Sequence, residues 1–224
     1  MKRRTLDIIF SAGGLVVAAL LIVLGIAIAS QYAFATEYVK GELSAQKIVF
    51  PAADKLTDVE KNWRPGSSCL VEYAGQPLQT GAQAECYAKY YIAVHMDTSA
   101  KTAGFPGATY ATLGATRSEL SAQVAAAKAK GDTAAADAAQ KKLDAATALR
   151  TTMQTGETLR GLLLTTFGFS VLGDMAGLAS KILFGLGAVM VVLSVAGLVH
   201  ALVVPQDELV LGLVRQPRAA VYAG

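Results

Sequence analysis

Residues 8–30, IIFSAGGLVVAALLIVLGIAIAS, carry no charged side chain over 23 positions. Residues 182–204, ILFGLGAVMVVLSVAGLVHALVV, repeat the pattern, with His200 as the single titratable group. At ~1.5 Å rise per residue each run makes a helix of about 34 Å, enough to cross a hydrocarbon core of ~30 Å with some tilt. These two runs decide the fold class, which reads as mainly α with two transmembrane helices flanking a central domain. They also explain the composition. The 224 residues are 53% apolar with mean hydropathy +0.42, and the excess is concentrated in the two runs instead of being spread through a soluble core.

The flanking charges set an expected orientation. Lys2, Arg3 and Arg4 precede the first run with only Asp7 opposing them, and Arg215 and Arg218 follow the second. The positive-inside bias then keeps both termini cytoplasmic and exports the centre of a two-pass protein of the bacterial cytoplasmic membrane. Lys181 stands against this, but its long stem can snorkel to the interface. The expected division is a cytoplasmic N-terminus at 1–7, a span at 8–30, an exported helical domain at 31–156, an interfacial or packed helix at 157–181, a span at 182–204 and a cytoplasmic tail at 205–224. Ala33-Phe34-Ala35 imitates a signal-peptide cleavage site. The apolar run before it far exceeds the ~7–15 residues of a signal core, so an uncleaved anchor is expected.

A shorter uncharged stretch, GLLLTTFGFSVLG at 161–173, lies between Arg160 and Asp174. It is too short for a crossing and suits an interfacial or packed helix, so residues 157–204 read as one long helix or a kinked pair. Gly173 and Gly177 form a G-x-x-x-G pair that permits close helix approach. Asp174, a carboxylate among apolar residues at interface depth, is a further candidate for an interface role.

In the centre, residues 37–50 extend the first span and turn extended at Ile48-Val49-Phe50. Residues 51–78 read as irregular, punctuated by Pro51, Pro65, Gly66, Gly75 and Pro77. Thr80 with Gln83 forms a capping box for a helix running to about Met96. Ala84, Tyr87, Ala88, Tyr91, Val94 and His95 share one of its faces, so Tyr87, Tyr91 and His95 are expected at a packing surface or interface. Thr116 with Glu119 opens the next helix, Gly131-Asp132-Thr133 breaks it, and another continues to about Met153. Thirteen alanines between Ala122 and Ala148 mark this as an Ala-rich helical hairpin.

Cys69 and Cys86 are the only cysteines and both fall in the exported region. An even count in an oxidising compartment favours a disulfide over two separate thiols, tying the irregular 51–78 segment to the following helix.

Chemistry is sparse. There is no H-E-x-x-H, P-loop, nucleotide-binding glycine motif or G-x-S-x-G. His95 reads as a core histidine satisfied by a neighbour, His200 lies near the cytoplasmic end of a span, and Asp58 and Glu60 read as solvated loop charges. No metal or cofactor is expected. Residues 31–181 carry 15 Lys/Arg against 14 Asp/Glu, which leaves no basic field for nucleic acid. The reading is therefore not an enzyme but a non-catalytic membrane protein, an accessory or structural subunit of a larger envelope or respiratory complex. Its partners would be other integral membrane proteins or itself, within the lipid bilayer. The alternative is an exported sensor or ligand-binding module.

Several segments resemble a family of small actinobacterial two-span membrane proteins of undetermined role. They are LSAQKIVFP at 43–51, YAGQ at 73–76, TGAQA at 80–84, YIAVH at 91–95 and GETLRGLLL at 156–164. Members are often labelled aromatic ring-opening dioxygenases, which implies a non-haem iron with several His or carboxylate ligands. The exported region here holds one histidine, so the residues do not carry that label.

Overall fold

A computed structural model describes residues 3–203. The tail expected at 205–224, with Arg215 and Arg218, lies outside the described residues, as do Lys2 and Val204. The described chain is mostly helical: α1 (Arg3–Ala45), α2 (Asp58–Asn62), α3 (Cys69–Glu72), α4 (Gly81–Cys86), a π-helical segment (Tyr87–Ile92), α5 (Ala93–Thr102), α6 (Tyr110–Ala129) and α7 (Thr133–Val203). Among the described residues there is no strand, only an isolated antiparallel bridge between Val49 and Pro77.

Two of these helices, α1 and α7, are long and apolar enough to cross a membrane. Only 17% and 11% of their most apolar windows is buried, which is unlike the core helix of a soluble protein. The chain divides into two compact units, one from residues 3–32 and 174–203, the other Ala33–Gly173.

The first unit is an antiparallel helix pair in which small residues receive larger ones. A Cβ on Gly14 would overlap Ser194 Oγ, and one on Gly197 would overlap Ser11 Oγ. Gly187 faces Ile22 and Gly25 faces the Phe184 ring in the same way, while Gly177 is covered by the Tyr32 ring. With every contact on the Gly side lacking a side chain, the two backbones approach closely. Val16, Leu20, Val23, Leu186, Val192 and Leu193 are left exposed around the pair.

The second unit has its own core, built from Val39 and Leu43 of α1, Phe50, Leu70 and Leu78 of the connecting segment, Ala84, Ala88 and Met96, Leu113 of α6, and Leu149, Met153 and Leu163 of α7. The 51–78 segment is more ordered than its Pro and Gly content predicts. Thr57 caps α2 in a full capping box with Glu60, and α3 follows. Gly66, at φ +97°, takes a left-handed conformation, and Tyr90 Oη occupies the space a Cβ would need. The disulfide Cys69–Cys86 then links α3 to the end of α4.

Two helix boundaries differ from expectation. α6 starts at Tyr110 because Thr109 caps it through Thr112, while Thr116 lies inside the helix and bonds back to the Thr112 carbonyl. A capping box ordinarily has Glu or Gln at its fourth position, and Thr112 fills that place here. α7 does not end near Met153 but runs on to Val203, so residues 157–203 take the single-helix form of the two expected, because nothing in that stretch removes a backbone donor or demands a left-handed residue. Lys130 and Gly131, the latter at φ +69°, close α6, and Asp132 Oδ1 accepts from Ala135 N–H at the start of α7. Arg117 Nε donates to Thr147 Oγ1 at 2.9 Å and Arg150 stacks on Tyr110, joining α6 to α7.

Candidate functional site

The helix opened by Thr80 and Gln83 does not stay α-helical. Both halves of that capping box are present, and Gln83 also accepts from Gln79 N–H at 2.8 Å. From Tyr87 to Ile92 the backbone widens to a π turn before α5 resumes. Such turns are uncommon and cluster at functional positions, because they rotate the following side chains off the α-helical face. Here the carbonyl of Ala88 accepts from Arg160 Nε at 3.1 Å, and Arg160 is itself held by both oxygens of Glu157. α7 thus anchors the wide turn.

A file of rings runs along this segment. Tyr73 and Tyr87 both contact Phe50, with centroids 5.6 Å and 5.3 Å away; Tyr91 lies 4.7 Å from Tyr87, and His95 lies 4.5 Å from Tyr91. Burial, then the nearby Tyr91, pushes the Tyr87 hydroxyl up to about 12. Tyr91 is raised as well, by burial first and by the negative charge of Glu60 second. Both are neutral phenols at ordinary pH.

The file ends on a pair that the sequence did not disclose. His95 is not a core residue: its side chain is 54% exposed, and Nε2 lies 2.9 Å from Glu60 Oε1. Glu60 is not a solvated loop charge either. It is buried, and its Oε2 accepts from the Thr57 backbone N–H at 2.6 Å and the Thr57 hydroxyl at 2.7 Å. Burial pushes its carboxyl up, but the bonds from Thr57 and then His95 outweigh this and hold it below the usual carboxylate range. A legible signal existed: Thr57-Asp58-Val59-Glu60 is itself a capping-box pattern.

Beside this pair lies a cleft of about 440 Å³, lined by Tyr91, Ile92, His95, Met96 and Ser99 on one side and by Thr151, Thr152, Thr155 and Gly156 of α7 on the other. Gly156 shapes its floor, since a Cβ there would lie 2.6 Å from Met96 Sδ. Tyr87 does not line the cleft and serves the core instead.

The other expected interface residues are elsewhere. Gly173 is buried against Ala35 Cβ, and Gly177 against Tyr32, so each glycine faces α1. Asp174 is exposed on α7. Among the described residues no group of three or more His, Cys, Asp or Glu side chains is arranged to hold a metal ion. Compared with protein-family descriptions, curated proteins and solved structures, the chain shows no match.

Proposed function

We propose that this chain is a two-span membrane protein whose domain at Ala33–Gly173 faces the outside and serves as a non-catalytic accessory subunit packed against another integral membrane protein. The observation that carries this reading is an uncharged helical surface longer than the bilayer requires. Residues 8–36 form an uncharged helical run of 29 residues. That is about 43 Å of helix against a hydrocarbon core of ~30 Å. Within the second unit, Phe34, Tyr38, Leu162 and Leu172 remain exposed, Leu172 by 65%. A soluble surface rarely leaves such residues together unless something covers them. The disulfide supports an oxidising location, and the charges at Lys2, Arg3, Arg4, Arg215 and Arg218 support cytoplasmic termini. The Ala33-Phe34-Ala35 triplet lies inside α1, a poor peptidase substrate, which supports retention of the first helix.

Kinship with the small actinobacterial two-span proteins belongs to the same proposal. Residues from the segments that carry the resemblance, including Leu43, Phe50, Tyr73, Ala84, Ile92 and Leu163, pack into one core.

The test is site-specific photo-crosslinking in native membranes, with the probe at 162 or 172 and a control probe at the exposed position 130. Discrete heavier adducts from 162 and 172 but not 130 are expected. If the gently solubilised protein runs alone as a monomer and neither position crosslinks, the reading fails.

The cleft beside Tyr91 favours a second reading, an exported ligand-binding module.

A further inference from the structure

We propose that the Tyr91–His95 cleft binds a small, largely apolar molecule that carries a hydroxyl group. This rests on the second reading above and is independent of the membrane partner.

The apolar part follows from Ile92, Met96 and the Tyr91 ring, and a volume of about 440 Å³ falls within the usual range of small-molecule sites. The hydroxyl follows from hydrogen-bond accounting. Ionised Glu60 can only accept, so the proton shared at 2.9 Å sits on His95 Nε2, and the tautomer with its proton there keeps Nδ1 as an acceptor. Among the described residues Nδ1 has no hydrogen-bond partner, and neither has the Tyr91 hydroxyl, a donor. The threonine hydroxyls of the far wall already donate to their own helix, Thr151 to the Thr147 carbonyl, Thr152 to Ala148 and Thr155 to Thr151. They retain only acceptor capacity. The site therefore offers one free donor and several acceptors in an apolar setting, which a ligand hydroxyl matches by accepting from Tyr91 and donating to His95. An anion would meet the Glu60 charge behind the imidazole, and an ether would lack the proton that Nδ1 needs.

The full chain in lipid nanodiscs, with ¹³C-methyl methionine, gives a local readout through Met96. Three probes of similar size separate the requirements: cyclohexanol, methoxycyclohexane and methylcyclohexane. Cyclohexanol is expected to shift the Met96 methyl saturably and to bind about fivefold or more tighter than either of the others, the worth of one to two net hydrogen bonds. Tyr91→Phe and His95→Phe keep the rings and are each expected to weaken cyclohexanol about three- to fivefold while leaving methylcyclohexane unchanged. Equal binding of all three probes overturns the hydroxyl requirement but leaves a ligand cleft in place. No Met96 shift with any probe overturns the inference and the ligand-binding reading together.

Discussion

His95 Nε2 lies 2.9 Å from Oε1 of Glu60, 35 residues earlier in the chain, and so pins the exposed end of the tyrosine helix to the cap of α2. The glutamate is the hinge of this arrangement. One of its oxygens completes the capping box with Thr57 and the other orients the imidazole, so a single buried carboxylate orders a segment rich in proline and glycine. Its loss propagates both ways.

Glu60→Ala removes the acceptor for the Thr57 N–H and for His95 together. It is expected to destabilise the domain by about 1–3 kcal/mol, the combined scale of a lost helix cap and a lost hydrogen bond to a charged group. Thermal unfolding followed by circular dichroism checks this. A midpoint within a degree of wild type would show that the pair contributes nothing.

The same carboxylate sets an acid dependence. Its folded-state pKa is lowered, so the unfolded chain binds the proton more readily than the folded one. The Glu60 contribution is therefore complete above the unfolded carboxylate value of about 4.3 and is lost as pH falls through the lower folded value. Wild type should lose stability more steeply below about pH 5 than Glu60→Gln does. Parallel curves for the two proteins would contradict the assignment.

The Cys69–Cys86 bridge spans a sequence separation of 17 residues. Loop-closure entropy assigns such a bridge about 3 kcal/mol. The Cys69→Ser/Cys86→Ser double variant should unfold at a clearly lower temperature, and reductant should shift wild type towards it while leaving the variant unmoved. Insensitivity of wild type to full reduction would count against a structural role.

Arg160 holds the carbonyl of Ala88 in the π turn. Arg160→Met should speed amide hydrogen exchange at residues 87–93 by about tenfold or more, corresponding to one lost charged hydrogen bond. Glu157→Gln, which leaves the Ala88 contact in place, should change it much less. Equal acceleration in both variants would place the effect in the Arg160–Glu157 pair instead.

In the helix pair, Gly14 and Gly177 are covered by Ser194 and Tyr32. Gly14→Leu or Gly177→Leu should force the helices apart at a cost of about 1–3 kcal/mol, as overpacking does elsewhere. Cysteines introduced at 11 and 197, read in membranes, should crosslink in the parent protein and lose most of that yield in either variant. An undiminished yield would refute the close contact.

Much of this was readable from local patterns. The uncharged runs at 8–30 and 182–204, the Thr80–Gln83 cap and the break at Gly131 depend on neighbours within a few residues, which is the range over which sequence acts directly. The pairing of Cys69 with Cys86 was also legible, since the chain has no other cysteine. The cap of α6 is Thr109 and not Thr116, about two helical turns further on, because a Thr109–Thr112 cap resembles ordinary threonine usage. Tyr87, Tyr91 and His95 do stack in one file, as helical spacing implies, but His95 stands at its solvent end beside Glu60, a position that the spacing does not record.

The amino-acid order by itself determined that two long apolar helices would form, because an uninterrupted apolar run without proline satisfies its own backbone wherever it lies. Only the tertiary structure decided that Glu60 is buried beneath His95, that Arg160 holds the Ala88 carbonyl, and that a cleft opens beside Tyr91. Each of these joins residues separated by tens of positions, and the free energy of burying or pairing a polar group depends on what folding brings to it, which no local pattern records.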